Sequence, residues 1–220
     1  MTILALEFSS AQRSVAVVRP DHPQICVEAI ETGAGGTNAF RLMAKVLAEA
    51  KVEREQIEVL AVGLGPGSYT GVRVAISIAQ GWQLARGVKL LGSGSGECLA
   101  AQAQAEGKFG RVNVVIDAQR NELYLASYEV SSGGWTEIEP LRIVPLTELQ
   151  TRVNAGGIWV GPEATRWLSN GKILFPAAAT LGRIAAGRND FVSGNKLTPI
   201  YLRETNFVKA PPRRGDLETS

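Results

Sequence analysis

The 220-residue sequence has a single histidine, His22, and this scarcity excludes several kinds of catalytic site. A metal site built on three histidine ligands cannot form within the chain. A hydrolase of the Ser-His-Asp type would need His22 as its base, and neither Ser9 nor Ser68 lies in a G-x-S-x-G context. Because His22 stands between Pro20-Asp21 and Pro23, we predict an exposed turn in which the imidazole has no function.

Cysteine and long apolar runs are also scarce. Cys26 and Cys98 lie 72 positions apart without the spacing of a metal site, so we predict reduced, buried thiols and no disulfide. No segment approaches the roughly 18 apolar residues of a membrane span. No basic residue precedes the short apolar run at the N-terminus, which does not suit a secretory signal. The expected location is the cytoplasm, with no membrane association.

Neither sign of charge dominates. The 23 basic and 21 acidic residues leave a formal net charge of +2, too small to attract nucleic acid or an anionic membrane over long range. Any contact with RNA is therefore expected to be local or shared with another subunit. With 45% apolar and 20% charged residues, the chain can bury a core and is expected to fold.

Strand and helix patterns alternate along the chain in an order that occurs twice. Each copy contains three strands, a helix, a strand, a helix, a strand and a helix, which predicts an α/β fold with a mixed sheet flanked by helices. ILALEFSSAQRSVAVV and VNVVIDAQRNELYLASY match in layout, and an acid, Glu7 or Asp117, ends the first strand of each. We predict two lobes, residues 1–108 and 109–203, and a loose tail at 204–220. Chance alternation is the alternative, because identity between the halves is low.

The expected elements follow from apolar periodicity and from capping residues. Thr37 or Asn38 can cap the first helix, and Gly87 closes the second. In the first lobe we expect strands at 3–6, 14–18, 25–30, 57–63 and 88–91, and helices at 38–51, 71–86 and 96–105. In the second lobe we expect strands at 112–116, 123–130, 141–144, 158–160 and 173–175, and helices at 146–154, 163–169 and 178–188.

A glycine-rich loop lies between the fourth strand and the second helix, within VGLGPGSYTGVR at residues 62–73. A nucleotide P-loop needs a lysine here, and none occurs between Lys51 and Lys89. The dinucleotide fingerprint G-x-G-x-x-G also fails, because three residues instead of two precede Gly71. The pattern predicts a sharp strand-to-helix turn with close backbone approach, whose N–H groups could face an anion.

Several residues are candidates for a position near an anion or nucleotide. Arg73 opposes the dipole in the first turn of its helix, so a carboxylate or bound anion is expected nearby; an intramolecular salt bridge is the simpler interpretation. The full set of candidates is Glu7, Gly65, Gly67, Ser68, Thr70, Gly71, Arg73 and Asp117.

The loop Gly65-Pro66-Gly67-Ser68-Tyr69-Thr70-Gly71-Val72-Arg73 resembles the GPGSFTGLR signature of the bacterial, glycoprotease-like YeaZ/TsaB family. The segment IDAQRNELY at 116–124 is similar to the family's IDARRGEVY, and PIYLR at 199–203 to its C-terminal PxYLR. Two positions depart from the family pattern. Glu7-Phe8-Ser9 replaces the usual Asp-Thr-Ser, which bears on any phosphate or metal role there, and Gly36-Thr37-Asn38 stands where a histidine is common.

The resemblance implies the duplicated fold of actin and the sugar kinases, the ribonuclease H-like ASKHA class. It also implies a non-catalytic subunit that binds and activates its catalytic paralogue TsaD, which transfers a threonylcarbamoyl group to N6 of adenosine 37 in tRNA. A small P-loop ATPase, TsaE, is implied as a further partner, and a homodimer is implied when the chain is alone. The chain by itself is expected to bind no cofactor, with ATP and metal on partner subunits, and to meet tRNA through the complex.

Two helices are more apolar than one sheet contact requires. The apolar arc spans roughly 240° on the first helix and about 200° on the second, whereas a helix lying on a sheet needs about 100° or somewhat more. The excess either packs the helices together within the lobe or is covered by another subunit. The resemblance favours a partner interface, for which the candidate residues are Phe40, Met43, Leu47, Val74, Ile78 and Trp82.

Three other interpretations remain open. An active actin-fold ATPase or phosphotransferase would use Glu7 and Asp117 to handle metal and phosphate, although acids at strand ends also cap turns. A peptidase-like hydrolase is disfavoured by the histidine count. Basic residues near the C-terminus are either an RNA contact or a solvated end. They are Arg203, Lys209, Arg213 and Arg214.

Overall fold

The structure is a computed structural model that describes residues 1–22, 24–33, 38–153 and 156–203. Within these residues the first part of the chain forms a five-stranded mixed sheet, in the order β3-β2-β1-β4-β5, and three helices; we call this part the first lobe. Its elements are β1 Ile3–Glu7, β2 Gln12–Val18, β3 Cys26–Thr32, α1 Ala39–Ala50, β4 Val59–Gly63, α2 Tyr69–Arg86, β5 Lys89–Ser93 and α3 Ser95–Ala105.

A second five-stranded sheet follows within the described residues, and we call it and its helices the second lobe. Its strand order is β8-β7-β6-β9-β10. Its elements are β6 Gly110–Asp117, β7 Glu122–Ser131, β8 Gly134–Pro145, α4 Leu146–Arg152, β9 Ile158–Gly161 and β10 Lys172–Ile173. Helix α5, Ala178–Ala186, comes after the last strand.

The two sheets have the same topology. The first strand of each lobe is central: β1 and β6 pair antiparallel with the next strand and parallel with the fourth strand of their own lobe. Glu7 and Asp117 are the last residues of these central strands and so occupy equivalent positions. The repeated order confirms a duplicated α/β fold of the actin-like type.

Helices cover both faces of the first sheet. Helices α1 and α2 share one buried cluster with alternate residues of β1, β2 and β4, including Leu4, Leu6 and Val62. The intervening residues of the same strands, such as Ile3 and Ala5, face α3 and α5. Helix α3 also packs on the second sheet, so it lies between the lobes, while α4 covers the opposite face of that sheet. The alternation follows from the period-2 geometry of strands buried on both faces.

The end of the described chain returns to the first lobe. Sequence order assigned residues 178–203 to the second lobe, but α5 packs on β1 and β2. Gly182 lies so close to Val18 that a β-carbon on the glycine would stand 2.6 Å from Val18 Cγ2. Further along, the amide of Val192 donates to the carbonyl of Leu90 at 2.9 Å. Helices α3 and α5 therefore share one face of the first sheet, and α5 covers the part that α3 does not.

Some elements differ from the expectations. The helix predicted at 163–169 is one 3₁₀ turn, Ala164–Arg166, and the strand predicted at 141–144 is part of the twelve-residue β8. Asn38 caps α1, since its Oδ1 accepts a bond from the Arg41 amide at 3.2 Å. Thr37, the alternative cap, and the predicted tail at 204–220 with Lys209, Arg213 and Arg214 lie outside the described residues.

Candidate functional site

The glycine loop lies directly on the turn that joins β1 to β2. The amide of Ser68 donates to the carbonyl of Ser9 at 2.6 Å. A β-carbon on Gly67 would stand 2.0 Å from the same carbonyl oxygen, and one on Gly71 would stand 2.0 Å from the carbonyl oxygen of Phe8. These glycines are needed because two stretches of backbone touch, which confirms the predicted close approach.

The donors of the loop are engaged within the protein. Ser68 caps α2, its Oγ accepting a bond from the Gly71 amide at 3.2 Å. On the other side of the loop, the carbonyl of Gly65 accepts a bond from the Ser95 amide at 2.7 Å, and the Ser95 hydroxyl donates to Ser9 Oγ at 2.9 Å. The Ser68 and Gly71 amides at the start of α2 are therefore bonded within the protein and are not free donors for an anion.

Glu7 is buried beneath this loop. Its Oε1 accepts a bond from the Ser9 amide at 2.8 Å, whereas Oε2 has no hydrogen-bond partner among the described residues. A β-carbon on Gly63 would stand 2.0 Å from that Oε2, so the carboxyl group fills the space above the glycine. Burial raises the pKa of Glu7 and so favours the uncharged acid, while the bonds to Ser9 oppose this shift.

A cleft of about 550 Å³ separates the lobes. Eight residues were predicted to lie near an anion or nucleotide, and three of them, Gly67, Ser68 and Asp117, line this cleft. Glu7 is buried and does not line the cleft. Gly65 and Gly71 belong to the glycine loop and do not line the cleft either. Thr70 and Arg73 line a different depression, which shares Tyr69 with the cleft. The eight candidates are thus divided between the interlobe cleft, the buried part of the glycine loop with Glu7, and this second depression.

Acidic groups dominate the second-lobe wall of the cleft. Asp117 Oδ1 accepts a bond from the Gln119 amide at 2.7 Å, and Oδ2 forms an ion pair with Arg166 at 3.0 Å. Glu163, which the sequence did not single out, also lines the cleft. Burial raises its pKa, and the nearby Asp117 charge acts in the same direction. The Asp117 charge is thus paired with Arg166, and the direction of the pKa shift favours the neutral form of Glu163.

Arg73 does not form a salt bridge with any described carboxylate. Its guanidinium lies 4.4 Å from the centroid of the Tyr69 ring, a cation–π arrangement. Tyr69 in turn stacks on Tyr201, with ring centroids 5.2 Å apart and an interplanar angle of 22°. Among the described residues the Tyr69 ring, and not the carboxylate predicted from the sequence, is therefore the partner of Arg73.

An apolar groove of about 650 Å³ runs between the start of α1 and the exposed side of α2. Phe40 lines it and is 72% exposed, and Val74 and Trp82 line it as half-buried side chains. Ile78 also lines it, although only 9% of this side chain is exposed. We call this depression the helix groove. Four of the six residues predicted for a partner interface meet there.

The other two residues predicted for the interface lie in the core. Met43 is 4% exposed and Leu47 is 6% exposed, and both belong to the cluster that α1, α2 and the first sheet share. They cannot contact a partner in this conformation, because both side chains are buried in that cluster. Leu84, on the solvent side of α2, is 92% exposed and was not predicted.

The scarce residue types are placed as follows. His22 lies in an exposed turn, where its ring is 3.7 Å from Asp21, as predicted. Both cysteines are free; Cys98 is buried and Cys26 is half-buried. Among the described residues no three His, Cys, Asp or Glu side chains come together as a metal site, and no helix is long and apolar enough to cross a membrane.

The duplicated sheets, with an interlobe cleft at the ends of the two central strands, define a protein of the actin-like class. Residues 37–203 match the family model for TsaD, tRNA N6-adenosine threonylcarbamoyltransferase. The chain is 30% identical to the tRNA threonylcarbamoyladenosine biosynthesis protein TsaB of Escherichia coli K12, over 76% of this chain and 80% of that protein. It is also 30% identical to TsaB of Haemophilus influenzae, over 97% of this chain and 98% of that protein.

A solved structure agrees with these relatives. YeaZ from Pseudomonas aeruginosa is 26% identical and superposes with a TM-score of 0.77, covering 91% of this chain and 99% of that one. The chain belongs to the YeaZ/TsaB family.

Proposed function

We propose that this chain is a non-catalytic subunit in the biosynthesis of N6-threonylcarbamoyladenosine in tRNA, where it binds and activates the catalytic paralogue TsaD. Membership of the YeaZ/TsaB family supports the biosynthetic role, because the curated relatives carry that role in their names. The helix groove supports a role in binding, because it exposes apolar side chains on a helix pair that is otherwise well packed.

The groove is the observation that carries the proposal. An apolar depression with a protruding aromatic residue is typical of a protein–protein interface, in which aromatic side chains contribute much of the binding free energy. Phe40 protrudes from α1, while Val74 and Trp82 of α2 form a wall. Arg73 and Asn38 place polar groups at the end of the groove, as at the rim of an interface. We assign TsaD to this surface, and a second copy of the chain when TsaD is absent.

Local chemistry supports a non-catalytic role. The Glu7 carboxyl group, which replaces the usual aspartate of the family, points into the protein, where burial favours its neutral form. A buried acid whose ionised form is disfavoured is a poor ligand for Mg²⁺, which binds ionised oxygen ligands. The Ser68 and Gly71 amides are bonded to Ser9 and Ser68, so they do not face the cleft as free phosphate ligands. We therefore assign ATP and metal to the partner subunits.

The remaining parts of the proposal concern the assembly. The small P-loop ATPase TsaE is the third subunit, and tRNA is bound by the complex and not by this chain alone. The near-balanced charge of the chain supports this assignment, because a net charge of +2 attracts a polyanion only weakly. The proposed place of action is the cytoplasm, where tRNA is modified.

Co-expression with TsaD of the same organism tests the proposal. Size-exclusion chromatography should show a complex of the two chains, and threonylcarbamoylation of tRNA by TsaD and its partners should require this chain. Added tRNA should elute with the complex and not with the isolated chain. Separate elution of the two proteins, with full modification activity in the absence of this chain, would refute the proposed role.

A further inference from the structure

The segment 199–203 runs from the first lobe to the second. The amide of Ile200 donates to the carbonyl of Leu64, in the glycine loop of the first lobe, at 2.8 Å. Three residues later, the guanidinium of Arg203 donates to the carbonyl of Ala118 at 2.8 Å and to the carboxylate of Glu122, both in the second lobe. This short segment is therefore bonded to both walls of the interlobe cleft.

The second-lobe end of the segment holds an unusual turn. Gln119, Arg120 and Asn121 have φ angles of 64°, 58° and 60°, three successive non-glycine residues in the left-handed region. Such residues are disfavoured there by contact between the β-carbon and the backbone. Arg203 binds Ala118 and Glu122, the residues on either side of this turn, and so stabilises a conformation that the turn residues alone do not favour.

The first-lobe end of the segment holds Tyr69. The ring of Tyr201 stacks on the ring of Tyr69, and its hydroxyl donates to the Tyr69 carbonyl at 3.4 Å. Tyr69 begins α2 and lines both the interlobe cleft and the helix groove. The Arg73 guanidinium, at the end of the groove, rests on the same Tyr69 ring. Tyr201 thus sets the position of two residues at one end of the groove.

We propose that Tyr201 and Arg203 form an interlobe clasp, which holds the two lobes together and positions Tyr69 and Arg73 for a partner at the helix groove. This inference rests on the proposed function of the groove. It makes the affinity for TsaD depend on Arg203 and Glu122, which lie outside the groove lining. Tyr201 and Arg203 are positioning residues, because they act on the partner surface through Tyr69 and through the turn at 119–121.

The affinity for TsaD tests the clasp. We expect Arg203→Ala and Tyr201→Ala to weaken binding about five- to tenfold, at the lower end of the usual range of coupling between separate sites. Tyr201→Phe should bind nearly as well as the unaltered chain, because the stacked ring is retained. Arg142→Ala is the matched control: Arg142 also forms an ion pair in the second lobe, with Glu148, and within the described part of the chain no hydrogen bond or ion pair joins it to segment 199–203. Isothermal titration of each folded variant against purified TsaD gives the dissociation constants.

A distance measurement separates the clasp from the proposed function. Spin labels at the exposed positions Lys45 and Glu129, in a Cys26→Ser background, report the distance between the lobes without any partner. Arg203→Ala should broaden this distance distribution, whereas Arg142→Ala should leave it narrow. If the unaltered chain does not bind TsaD, the proposed function fails, and the distances still decide whether the clasp joins the lobes. If the unaltered chain binds and both alanine variants of the clasp bind within twofold of it, the clasp is refuted.

Discussion

Gly67 lies against the carbonyl group of Ser9, and a β-carbon at position 67 would stand 2.0 Å from that oxygen. Gly67 also has a φ of 149°, in the region that favours glycine. The contact joins the glycine loop to the turn between β1 and β2, where the amide of Ser68 bonds the same carbonyl. The glycine loop of this chain thus packs the start of α2 against the turn between β1 and β2.

Replacing Gly67 with alanine should destabilise the first lobe. Because the β-carbon would meet the backbone carbonyl of Ser9, which is buried and bonded to the Ser68 amide, the clash cannot be relieved by moving a flexible side chain, and we expect a loss of about 2–3 kcal/mol in the free energy of unfolding. Urea denaturation followed by circular dichroism measures it. Gly81→Ala is the control: position 81 is in the middle of α2 with open space around it, so this change should stabilise by about 0.5–1 kcal/mol. Equal stabilities of the two variants would contradict the packing role.

Glu7→Gln should increase stability at neutral pH. Burial raises the pKa of Glu7 in the folded state, so its contribution to stability is fully present below the unfolded-state pKa and is lost as the pH rises through the folded-state pKa. Glutamine keeps an oxygen for the Ser9 amide and carries no charge, so we expect a gain of about 1–3 kcal/mol at pH 7. Urea denaturation gives the free energy of unfolding of both proteins between about pH 4 and about pH 8. This is approximately the range in which carboxyl groups of raised pKa titrate. A variant that is less stable at pH 7, with the same pH dependence as the unaltered chain, would refute the interpretation.

Phe40→Asp should abolish binding of TsaD through the helix groove. Phe40 is 72% exposed, so the change removes apolar contact area from the groove without opening the core, and a reduction in affinity of at least about a hundredfold is expected for a central aromatic residue. Phe109→Asp is the matched control, because Phe109 is 51% exposed, directly precedes β6 and does not line the groove. Ile78 is less suitable for this test, since its charged variant would also disturb the core to which it belongs. Pull-down and titration with TsaD measure the effect; equal loss of binding in both variants would remove the groove from the proposal.

ATP with Mg²⁺ should not bind the isolated chain in the micromolar range. The loop amides of Ser68 and Gly71 are bonded within the protein, Asp117 is paired with Arg166, and burial disfavours the ionised form of Glu7 that a metal would need. Isothermal titration of the purified chain with ATP and Mg²⁺, together with an assay for phosphate release, measures binding and turnover. Micromolar binding with turnover would favour the active ATPase or phosphotransferase that the sequence left open.

Local patterns predicted much of the fold because they are written in neighbouring residues. Asn38, one of the two caps predicted for the first helix, caps α1, and Gly87 closes α2 in a left-handed conformation as predicted. The match between the two halves also predicted the equivalent positions of Glu7 and Asp117, which both end a central strand. Strand alternation and capping act over a few residues, so no distant contact is needed to recognise them.

The candidate site was harder to predict because its residues are defined by contacts between distant segments. A helical projection could not tell that Met43 and Leu47 face the core while Phe40 faces solvent, since all three lie within the same broad apolar arc. The ring beneath Arg73 comes from Tyr69, and Tyr201 stacks on it from more than a hundred positions away. Glu163 reached the cleft wall through β9, without a motif of its own.

By itself the sequence determined the α/β class, the duplication, the glycine turn and the family, because each of these depends on the order and spacing of residues. Only the tertiary structure decided which apolar side chains remain exposed, why Glu7 is buried, and that the last helix packs on the first sheet. Burial, ion pairing and aromatic stacking depend on which distant surfaces meet, and no local pattern specifies that meeting.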